Sequence, residues 1–379
     1  MSLSKSSLDR RLLKERTAFT DARAAGILAI ADVVTGHSGI VSHRPERDAR
    51  ADFREQLPVI ASPARLARPH DTDPLHDRPC PICAGQITPP IDCHALSTRR
   101  GVTFVTPNLF PVAMPLQPAP AALRASRGKA DTAAHPVSGI HLVQWCSTRH
   151  DLDLHNLPVA DVTVLLERLA ALEEALLFDS DARAMLPVTG RRRRRRMHGW
   201  MGAIKNYGRE VGGSLTHGHQ QLAVLSAQPR SVAWDLRFAR QHGMPIDEWY
   251  RRETPRRLVV ARFSGGVRLL VPTAARRPLD ALILPGDSKA SFLHELSRRP
   301  LTGMAEALIA TTRALHALMP GLGREVSYNL VFHLHPGAGA HIEVLPFTQE
   351  VGGYERLGVY LSHARPEDSH ALYCSAIDG

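Results

Sequence analysis

Two histidines and a glutamine stand on alternating positions in one short segment of the sequence. Residues 212–222 read GGSLTHGHQQL, so one residue separates His217 from His219 and one separates His219 from Gln221. In an extended strand such alternating positions face the same side. The pattern fits either a β-strand with a polar face or a site in which one imidazole binds a metal and the next attacks phosphorus.

Attack on phosphorus is the reaction that suits this segment. At its ordinary pKa histidine is largely unprotonated at pH 7, and the neutral imidazole nitrogen is a nucleophile. His219 is therefore the candidate nucleophile and His217 the candidate metal ligand. Gln221 would donate a hydrogen bond to a phosphate oxygen. The Gly-Gly-Ser turn at 212–214 would offer backbone N–H groups and a hydroxyl where negative charge builds up.

A CxxC motif is the second chemical signature. Cys80 and Cys83 stand in DRPCPICAG, a Pro- and Gly-rich context that favours zinc over a thioredoxin-like redox pair. Tetrahedral zinc needs two more ligands, and spacing alone does not select them among 20 histidines. Cys93, Cys146 and Cys374 are isolated and are expected to be ordinary thiols.

The pattern of strands and helices expected around these residues predicts an α+β fold with an antiparallel sheet. We expect strands at GVTFVTPNLFPVAMP, SGIHLVQWCS, WMGAIKNYG and THGHQQLAVLSA, and an amphipathic helix at LPVADVTVLLERLAALEEALLF. The second half repeats this plan. It has a hairpin at RLVVARFSGGVRLLVP, a helix at LTGMAEALIATTRALHALM and a strand pair at VSYNLVFHLHPG and AHIEVLPF.

The repetition indicates an internal duplication, because HQQ at 219–221 and HIE at 341–343 end the two halves in the same way. The predicted architecture is two similar halves, each an antiparallel sheet with packed helices. The predicted boundaries are an N-terminal helical extension at 1–50, a first half at 51–230 and a second half at 231–379. A helix is expected within 1–35, and residues 36–79 and 118–136 are expected to be irregular apart from the apolar stretch QLPVIASP.

The composition is that of an ordinary soluble globular chain with a basic charge. The 379 residues are 44% hydrophobic and 22% charged, with a formal net charge of +10 that suits anionic partners. The N-terminus lacks the apolar core of a secretory signal, and no run of eighteen apolar residues predicts a membrane span. Five cysteines without an export signal favour a reducing, cytoplasmic location.

Two further features allow more than one interpretation. The arginine run at 191–196 is typical of a solvated loop, and no nucleic-acid-binding signature accompanies it, so nucleic acid is not an expected partner. The alternative is a role in steering phosphorylated substrates. His333 and His335 in FHLHPG fit either a second metal site or a polar strand face.

Taken in order along the chain, these motifs resemble the galactose-1-phosphate uridylyltransferase family, a branch of the histidine-triad superfamily. The similarity covers most of residues 50–379. The matching segments are SPARLARP, CPICAG, VTPNLFPVA, SGIHLVQWCSTRH, KNYGREVGGSLTHGHQQL and GGYERLG. The His-x-His-x-Gln element downstream of a CPxC motif is the specific part of this resemblance, and it implies two histidine-triad-like halves.

The resemblance implies a closed metal site beside a covalent nucleophile. Cys80, Cys83, His150 and His217 would bind one structural Zn²⁺ per chain, with no coordination position left open for water. His219 would attack the α-phosphorus of a nucleotide sugar and form a covalent nucleotidyl-histidine. A sugar 1-phosphate would then accept the nucleotide, which implies ping-pong kinetics.

The resemblance also implies a set of substrate contacts. Gln221 and Ser214 would assist at the phosphate, and Glu355 would touch the sugar or acceptor. The residues implied to hold the ribose and phosphates are Arg65, Arg68, Asn108, Asn206 and Gly213.

Several features depart from the family pattern. Gly218 replaces the usual proline between the two histidines, which is expected to loosen the strand. The second half carries Gly339-Ala340-His341 where members often carry His-x-His, so a second metal site is expected to be incomplete. The first fifty residues and the arginine run match no family segment.

Three functions stay open from the sequence. The first is a nucleotidyltransferase that works between a nucleotide sugar and a sugar 1-phosphate. The second is a phosphorylase or hydrolase that uses the same histidine, and the third is a zinc-stabilised nucleotide-binding protein without catalysis. The family often forms dimers, so a homodimer is a further expectation, and no membrane partner is expected.

Overall fold

The computed structural model describes most of the chain from residue 80 onward and three short strands besides. The described residues are 40–44, 57–61, 80–109, 111–113, 134–136, 139–178, 199–225, 228–286, 289–357 and 359–378. The helix predicted within 1–35, the segment with Arg65 and Arg68, and the arginine run at 191–196 lie outside these residues.

A ten-stranded antiparallel sheet is the centre of the molecule. Its strands in chain order are β3 Asp92–Ala95, β4 Val102–Pro107, β6 Gly139–Trp145, β7 Trp200–Tyr207, β8 His219–Leu225, β9 Val259–Arg262, β10 Arg268–Leu270, β11 Ala281–Leu284, β12 Tyr328–His333 and β13 His341–Pro346. A separate three-stranded sheet contains β1 Ile40–Arg44, β2 Leu57–Ala61 and β5 Ala134–Pro136, with β1 in the middle.

The strand order of the large sheet reads similarly from either edge. It runs β3-β4-β6-β8-β7 through the first half and β12-β13-β11-β10-β9 through the second. The halves meet where β7 pairs with β12, with Asn206 opposite Asn329. In each half the last two strands along the chain form an antiparallel pair next to this junction.

Six α-helices are described along the chain. They are α1 Val159–Leu177, α2 Arg230–His242, α3 Ile246–Glu253, α4 Arg298–Gly321, α5 Gly353–Arg356 and α6 Pro366–Asp378. Within the described residues, no helix combines the length and the apolar character needed to cross a membrane.

One face of the sheet is covered by α1 and α4, and the spacing of apolar residues explains why. Leu165, Leu169, Leu172 and Leu176 recur every three or four residues along α1, so they form one apolar stripe. These side chains are buried in one core together with β6 and β8 residues such as Leu142. Burying an apolar side chain of this size contributes roughly 1.5–3 kcal/mol.

The opposite face of the first half has its own small core. Phe104, Val143 and Trp145 are buried there beside Ile82 and Cys93, and Cys80 packs against them. The CxxC loop is therefore anchored directly on the sheet, on the face opposite α1.

The predicted α+β class and most predicted elements agree with the structure. The expected helices correspond to α1 and α4, and the expected strands to β4, β6, β7, β8, β12 and β13. The expected hairpin is the antiparallel pair β9–β10. Residues 36–79 and 118–136 are less irregular than expected, because they contribute β1, β2 and β5 to one small sheet.

Candidate functional site

Four side chains that can bind a metal meet at one end of the first half-sheet. Cys80 and Cys83 come from the turn before β3, His150 from the loop after β6, and His217 from the loop before β8. The ligand-type atoms of these four residues all lie within 4.8 Å of one another. The structure thus brings together the full set of predicted metal ligands.

The separations within this cluster fit a tetrahedral ion. Cys80 Sγ lies 3.6 Å from His217 Nδ1, and Cys83 Sγ lies 3.6 Å from His150 Nδ1 and 3.7 Å from His217 Nδ1. Zinc at tetrahedral angles, with its usual bonds to sulfur and nitrogen, places these atoms about 3.6 Å apart. The donor set and its spacing are therefore compatible with zinc.

The far sides of the two histidine rings are also held. His217 Nε2 donates to the carbonyl oxygen of Ser147 at 2.7 Å, so Nδ1 is the nitrogen left for a metal. His150 Nε2 lies 3.2 Å from Thr216 Oγ1. Burial lowers the pKa of His217 to about 4, so the ring stays neutral, as a metal ligand must be.

His219 is the first residue of β8, whereas His217 lies in the loop before it. The two rings therefore do not lie along one straight strand face, in contrast to the simple alternation expected from the sequence. His219 Nδ1 donates to the carbonyl oxygen of His217 at 2.8 Å, which leaves the lone pair on Nε2. The Trp145 ring packs at 5.3 Å between centroids and holds the imidazole from one side.

Burial and, next, the nearby Lys205 ammonium lower the pKa of His219. His219 is 6% exposed and lines a cavity of about 300 Å³. Asn206 and Gly213 line the same cavity, together with His316 from α4. A neutral imidazole with a free Nε2 at the wall of a cavity is the arrangement that a nitrogen nucleophile requires.

A buried ion pair supports the strand that carries His219. Lys205 Nζ lies 2.8 Å from Asp153 Oδ2 and donates to the carbonyl oxygen of His219 at 2.9 Å. Burial favours the neutral form of each partner, but their mutual attraction outweighs it. The pKa of Asp153 is therefore lowered and that of Lys205 raised, and both stay charged.

Gln221 is fixed by a histidine that sequence reasoning did not single out. Its Oε1 lies 3.1 Å from His141 Nε2. Asn108 lies against the same imidazole, with its amide nitrogen 3.2 Å from His141 Nε2. Two predicted substrate residues, Gln221 and Asn108, are thus joined through His141.

The loop between β7 and β8 uses much of its own hydrogen-bonding capacity. Gly213 N donates to Gly208 O at 2.9 Å and Gly212 N donates to Arg209 O at 3.1 Å. These two N–H groups are therefore not free for a substrate, which differs from the expectation for this turn. Ser214 is exposed on the same loop.

Gly218 is held tightly rather than loosened. Its carbonyl oxygen accepts a hydrogen bond from Cys146 N at 2.8 Å. A Cβ at this position would lie 2.5 Å from the carbonyl oxygen of Leu152 and 2.9 Å from the carboxyl carbon of Asp153. The expected loosening is therefore wrong, because glycine allows closer packing at this point.

Glu355 lies on α5, outside the cavity lining. Its carboxylate accepts hydrogen bonds from Gly352 N at 2.8 Å and Leu361 N at 3.3 Å, so it orders its own loop. Its predicted contact with a sugar stays a prediction, as do the substrate roles of Asn206, Gly213 and Ser214.

His333 and His335 form a second cluster with Asp235 of α2, again within 4.8 Å. His333 Nδ1 lies 3.5 Å from Asp235 and its Nε2 lies 3.4 Å from Glu343. Burial opposes the charged form of this ring, but the two carboxylates outweigh it and raise the pKa of His333 to about 9. The cluster is therefore compatible with an ion-paired His333 as well as with a metal site.

Lys205, Asp153 and His141 are the site residues that sequence reasoning missed. Lys205 is the one charged residue of β7, a strand of otherwise mostly apolar residues, which is a weak signal of a buried charge. Its partner lies 52 positions earlier, and His141 is one of 20 histidines. Only the fold shows that these residues meet.

Comparisons with solved structures identify the architecture. A uridylyltransferase structure matches with a TM-score of 0.66 at 20% identity, and the match covers 90% of this chain and 98% of that one. A GalT-like protein from Arabidopsis thaliana gives 0.57 at 18% identity, covering 78% and 92% of the two chains. The chain has the fold of a uridylyltransferase.

An ADP-glucose phosphorylase from Arabidopsis thaliana, solved with bound ADP-glucose, has the same uridylyltransferase-like fold. Its TM-score is 0.55 at 19% identity, and the match covers 86% of this chain and 97% of that one. No protein-family model and no curated protein sequence matches the chain. The resemblance seen in the motifs is thus confirmed at the level of the fold.

We predict that Lys205→Met destabilises the protein by about 3–5 kcal/mol, because it leaves the Asp153 carboxylate buried without its partner. Chemical denaturation measures this loss. The double variant with Asp153→Asn should lose less, since no unpaired charge remains. Arg365→Met removes an exposed ion pair with Asp368 and serves as the control, with little expected change in stability because solvent screens the pair. Equal losses for the Lys205 and Arg365 variants would contradict the assignment.

Proposed function

We propose that the protein is a nucleotidyltransferase that moves a nucleoside monophosphate from a nucleotide sugar to a sugar 1-phosphate through His219. One observation carries this proposal. The neutral His219 ring lines the cavity with Nδ1 hydrogen-bonded to His217 O, so Nε2 is the available nucleophile. The uridylyltransferase-like fold supports the same reaction class.

In the first step, His219 Nε2 attacks the α-phosphorus of the nucleotide sugar. The new N–P bond forms as the bond from this phosphorus to the bridging oxygen breaks, and the sugar 1-phosphate leaves with the electron pair. The positive charge on the ring is stabilised through Nδ1–H, which donates to His217 O. In the second step, a phosphate oxygen of the acceptor attacks, and the N–P bond breaks.

Cys80, Cys83, His150 and His217 would hold one Zn²⁺ per chain. Four protein ligands fill a tetrahedral zinc site, so the ion would stabilise the loop before β8 rather than activate water. The 3.6–3.7 Å spacing of the sulfur and nitrogen atoms supports this role.

The proposed substrate contacts fall into groups according to where their residues lie in the structure. Asn206 and Gly213 line the cavity, and Asn108 and Gln221 lie against His141, so these four would contact the nucleotide or its phosphates. Ser214 would contact a phosphate from the exposed loop. Glu355 would bind the sugar or acceptor, and Arg65 and Arg68 would pair with phosphates.

A phosphorylase is the second candidate, since the ADP-glucose phosphorylase neighbour has the same fold. The first step and His219 would be unchanged. Inorganic phosphate would then replace the sugar 1-phosphate as the group that attacks the nucleotidyl-histidine, and the product would be a nucleoside diphosphate.

The mirrored strand order supports a duplicated histidine-triad-like unit. We propose halves at 51–230 and 231–379, preceded by the extension at 1–50. A homodimer and a cytoplasmic location stay predictions, which sedimentation analysis and cell fractionation would test.

We predict that incubation with UDP-glucose or ADP-glucose adds one nucleoside monophosphate to His219 as an acid-labile adduct, visible by intact mass. His219→Asn should abolish the adduct. His341→Asn is the matched control, because His341 Nδ1 makes the same type of hydrogen bond, 3.2 Å from Gly339 O, in the second half. Absence of an adduct with UDP-, ADP-, GDP- and CDP-sugars would favour the non-catalytic nucleotide-binding alternative.

Discharge of the labelled enzyme separates the two catalytic candidates. A transferase should lose its adduct on addition of a sugar 1-phosphate and regenerate a nucleotide sugar. A phosphorylase should lose it to inorganic phosphate. Discharge by phosphate alone would overturn the transferase in favour of the phosphorylase.

We predict about one zinc ion per chain by elemental analysis. Cys80→Ser should lose most of this zinc and melt at a lower temperature, because metal binding contributes to the stability of its loops. Cys374→Ser changes a cysteine in α6, outside the metal cluster, and should keep both zinc and stability. Full zinc content in Cys80→Ser would rule out the assigned site.

A further inference from the structure

His141 connects the loop after β4 to the strand that carries Gln221. It lies on β6, four residues before Trp145 and on the same face, and it is 3% exposed. Its ring touches the backbone of Val112 on one side and the amide of Gln221 on the other. The backbone N–H of Asn108 donates to the carbonyl oxygen of His141 at 2.9 Å, so main chain and side chain hold the same loop.

The hydrogen bond from Val112 determines which ring nitrogen carries the proton. A backbone N–H is always a donor, so His141 Nδ1, 3.1 Å from Val112 N, must accept. The Asn108 amide nitrogen lies 3.4 Å from Nδ1 and 3.2 Å from Nε2, so it does not distinguish the two ring nitrogens, and the Val112 N–H decides between them. Burial lowers the pKa of His141 to about 4, which keeps the ring neutral at pH 7. A neutral imidazole that accepts at Nδ1 has its proton on Nε2.

The proton on Nε2 in turn fixes the amide of Gln221. Nε2–H donates to Gln221 Oε1 at 3.1 Å, so the carbonyl end of the amide faces His141. The –NH₂ end is then kept as a donor. Gln221 lies two residues after His219 on β8 and therefore on the same face of the strand.

We propose that His141 is a positioning residue, which orients Gln221 so that its –NH₂ group donates to the phosphate attacked by His219. The proposal rests on the proposed function. It adds that the orientation of Gln221 depends on Val112, because the Val112 N–H selects the tautomer of His141. A loop that contacts the nucleotide would thereby be linked to the group that stabilises the transferred phosphate.

Two substitutions of His141 distinguish the orienting of Gln221 from a purely structural bond to Val112. His141→Gln places an amide nitrogen near the position of Nε2 and keeps a donor for Gln221, but it loses the acceptor for Val112. His141→Asn does the reverse. We expect His141→Gln to retain most of the rate of adduct formation on His219 at saturating donor, and His141→Asn to lose about tenfold or more. The opposite order would assign His141 to loop support and overturn the proposal.

A double-variant cycle shows whether His141 acts through Gln221. Loss of one preorganised donor to a developing negative charge costs on the order of 100-fold in rate, and we expect this of Gln221→Ala. Adding His141→Asn to Gln221→Ala should cause little further loss, since the group that it orients is gone. A double variant whose rate loss equals the product of the two single-variant losses would show that the two residues act independently. Zinc content and melting temperature are measured on each variant, so a folding defect is recognised.

Nitrogen NMR of the histidine side chains tests the inferred tautomer without any substrate. The expected result is a neutral His141 with its proton on Nε2 from pH 6 to 8, assigned by comparison with His141→Gln. A proton on Nδ1 would overturn the proposal even if His219 forms an adduct. An enzyme that forms no adduct with any nucleotide sugar would instead refute the proposed function, and with it the phosphate contact assigned to Gln221.

Discussion

The hydrogen bond from His219 Nδ1 to the carbonyl oxygen of His217 is the contact on which the site depends. His217 belongs to two structures at once, since its ring completes the Cys80–Cys83–His150 cluster while its carbonyl fixes the neighbouring imidazole. Any looseness in the cluster would move that carbonyl and turn His219. The single intervening residue matters for this reason, because a longer segment would separate the metal-ligand cluster from the proposed nucleophile, His219.

A second constraint comes from the helix-bearing side of the sheet. The β7–β8 ladder ends at Ile204 opposite Gln221, so it stops before the first residue of β8. The Lys205 ammonium accordingly reaches the carbonyl oxygen of His219, and Asp153 balances its charge. A buried ion pair is a weak source of stability, because desolvation opposes the attraction between its partners. Its position explains it better, since it binds the His219 carbonyl oxygen just beyond the point where the β7–β8 ladder ends.

The sequence predicts which residues belong to the site better than it predicts the contacts between them. His219 and the Cys80–Cys83 pair are visible because local spacing carries the information, and the amphipathic pattern of α1 is equally local. His217 is a candidate ligand already from its place in the His-x-His segment, whereas His150 could be chosen only through the resemblance to a family, since nothing in the spacing distinguishes it.

The contacts of His141 and Lys205 depend on strand register, which brings together residues far apart in sequence. The expected straight face through His217 was wrong for a related reason. Period-2 alternation holds only inside a strand, and β8 begins at His219.

The two halves of the sheet place the same local motif in different surroundings. His341 in β13 repeats the bond of His219, donating from Nδ1 to the carbonyl two residues before it. Its ring, however, stacks on His333 at 4.4 Å and is almost parallel to it, and Asp235 and Glu343 hold His333 in place. The hairpin of α2 and α3 closes this face further, with Asp247 N bonded to Ala338 O.

A Cβ at Gly339 would collide with the Asp247 carboxylate, so the ligand that a His-x-His pair would supply has no room there. The same backbone geometry therefore gives a covered histidine in one half and a histidine at a cavity wall in the other. What differs is the surroundings. In the first half a compact ligand cluster lies beside His219, which lines a cavity, whereas in the second half a helical hairpin and charged side chains pack around His341.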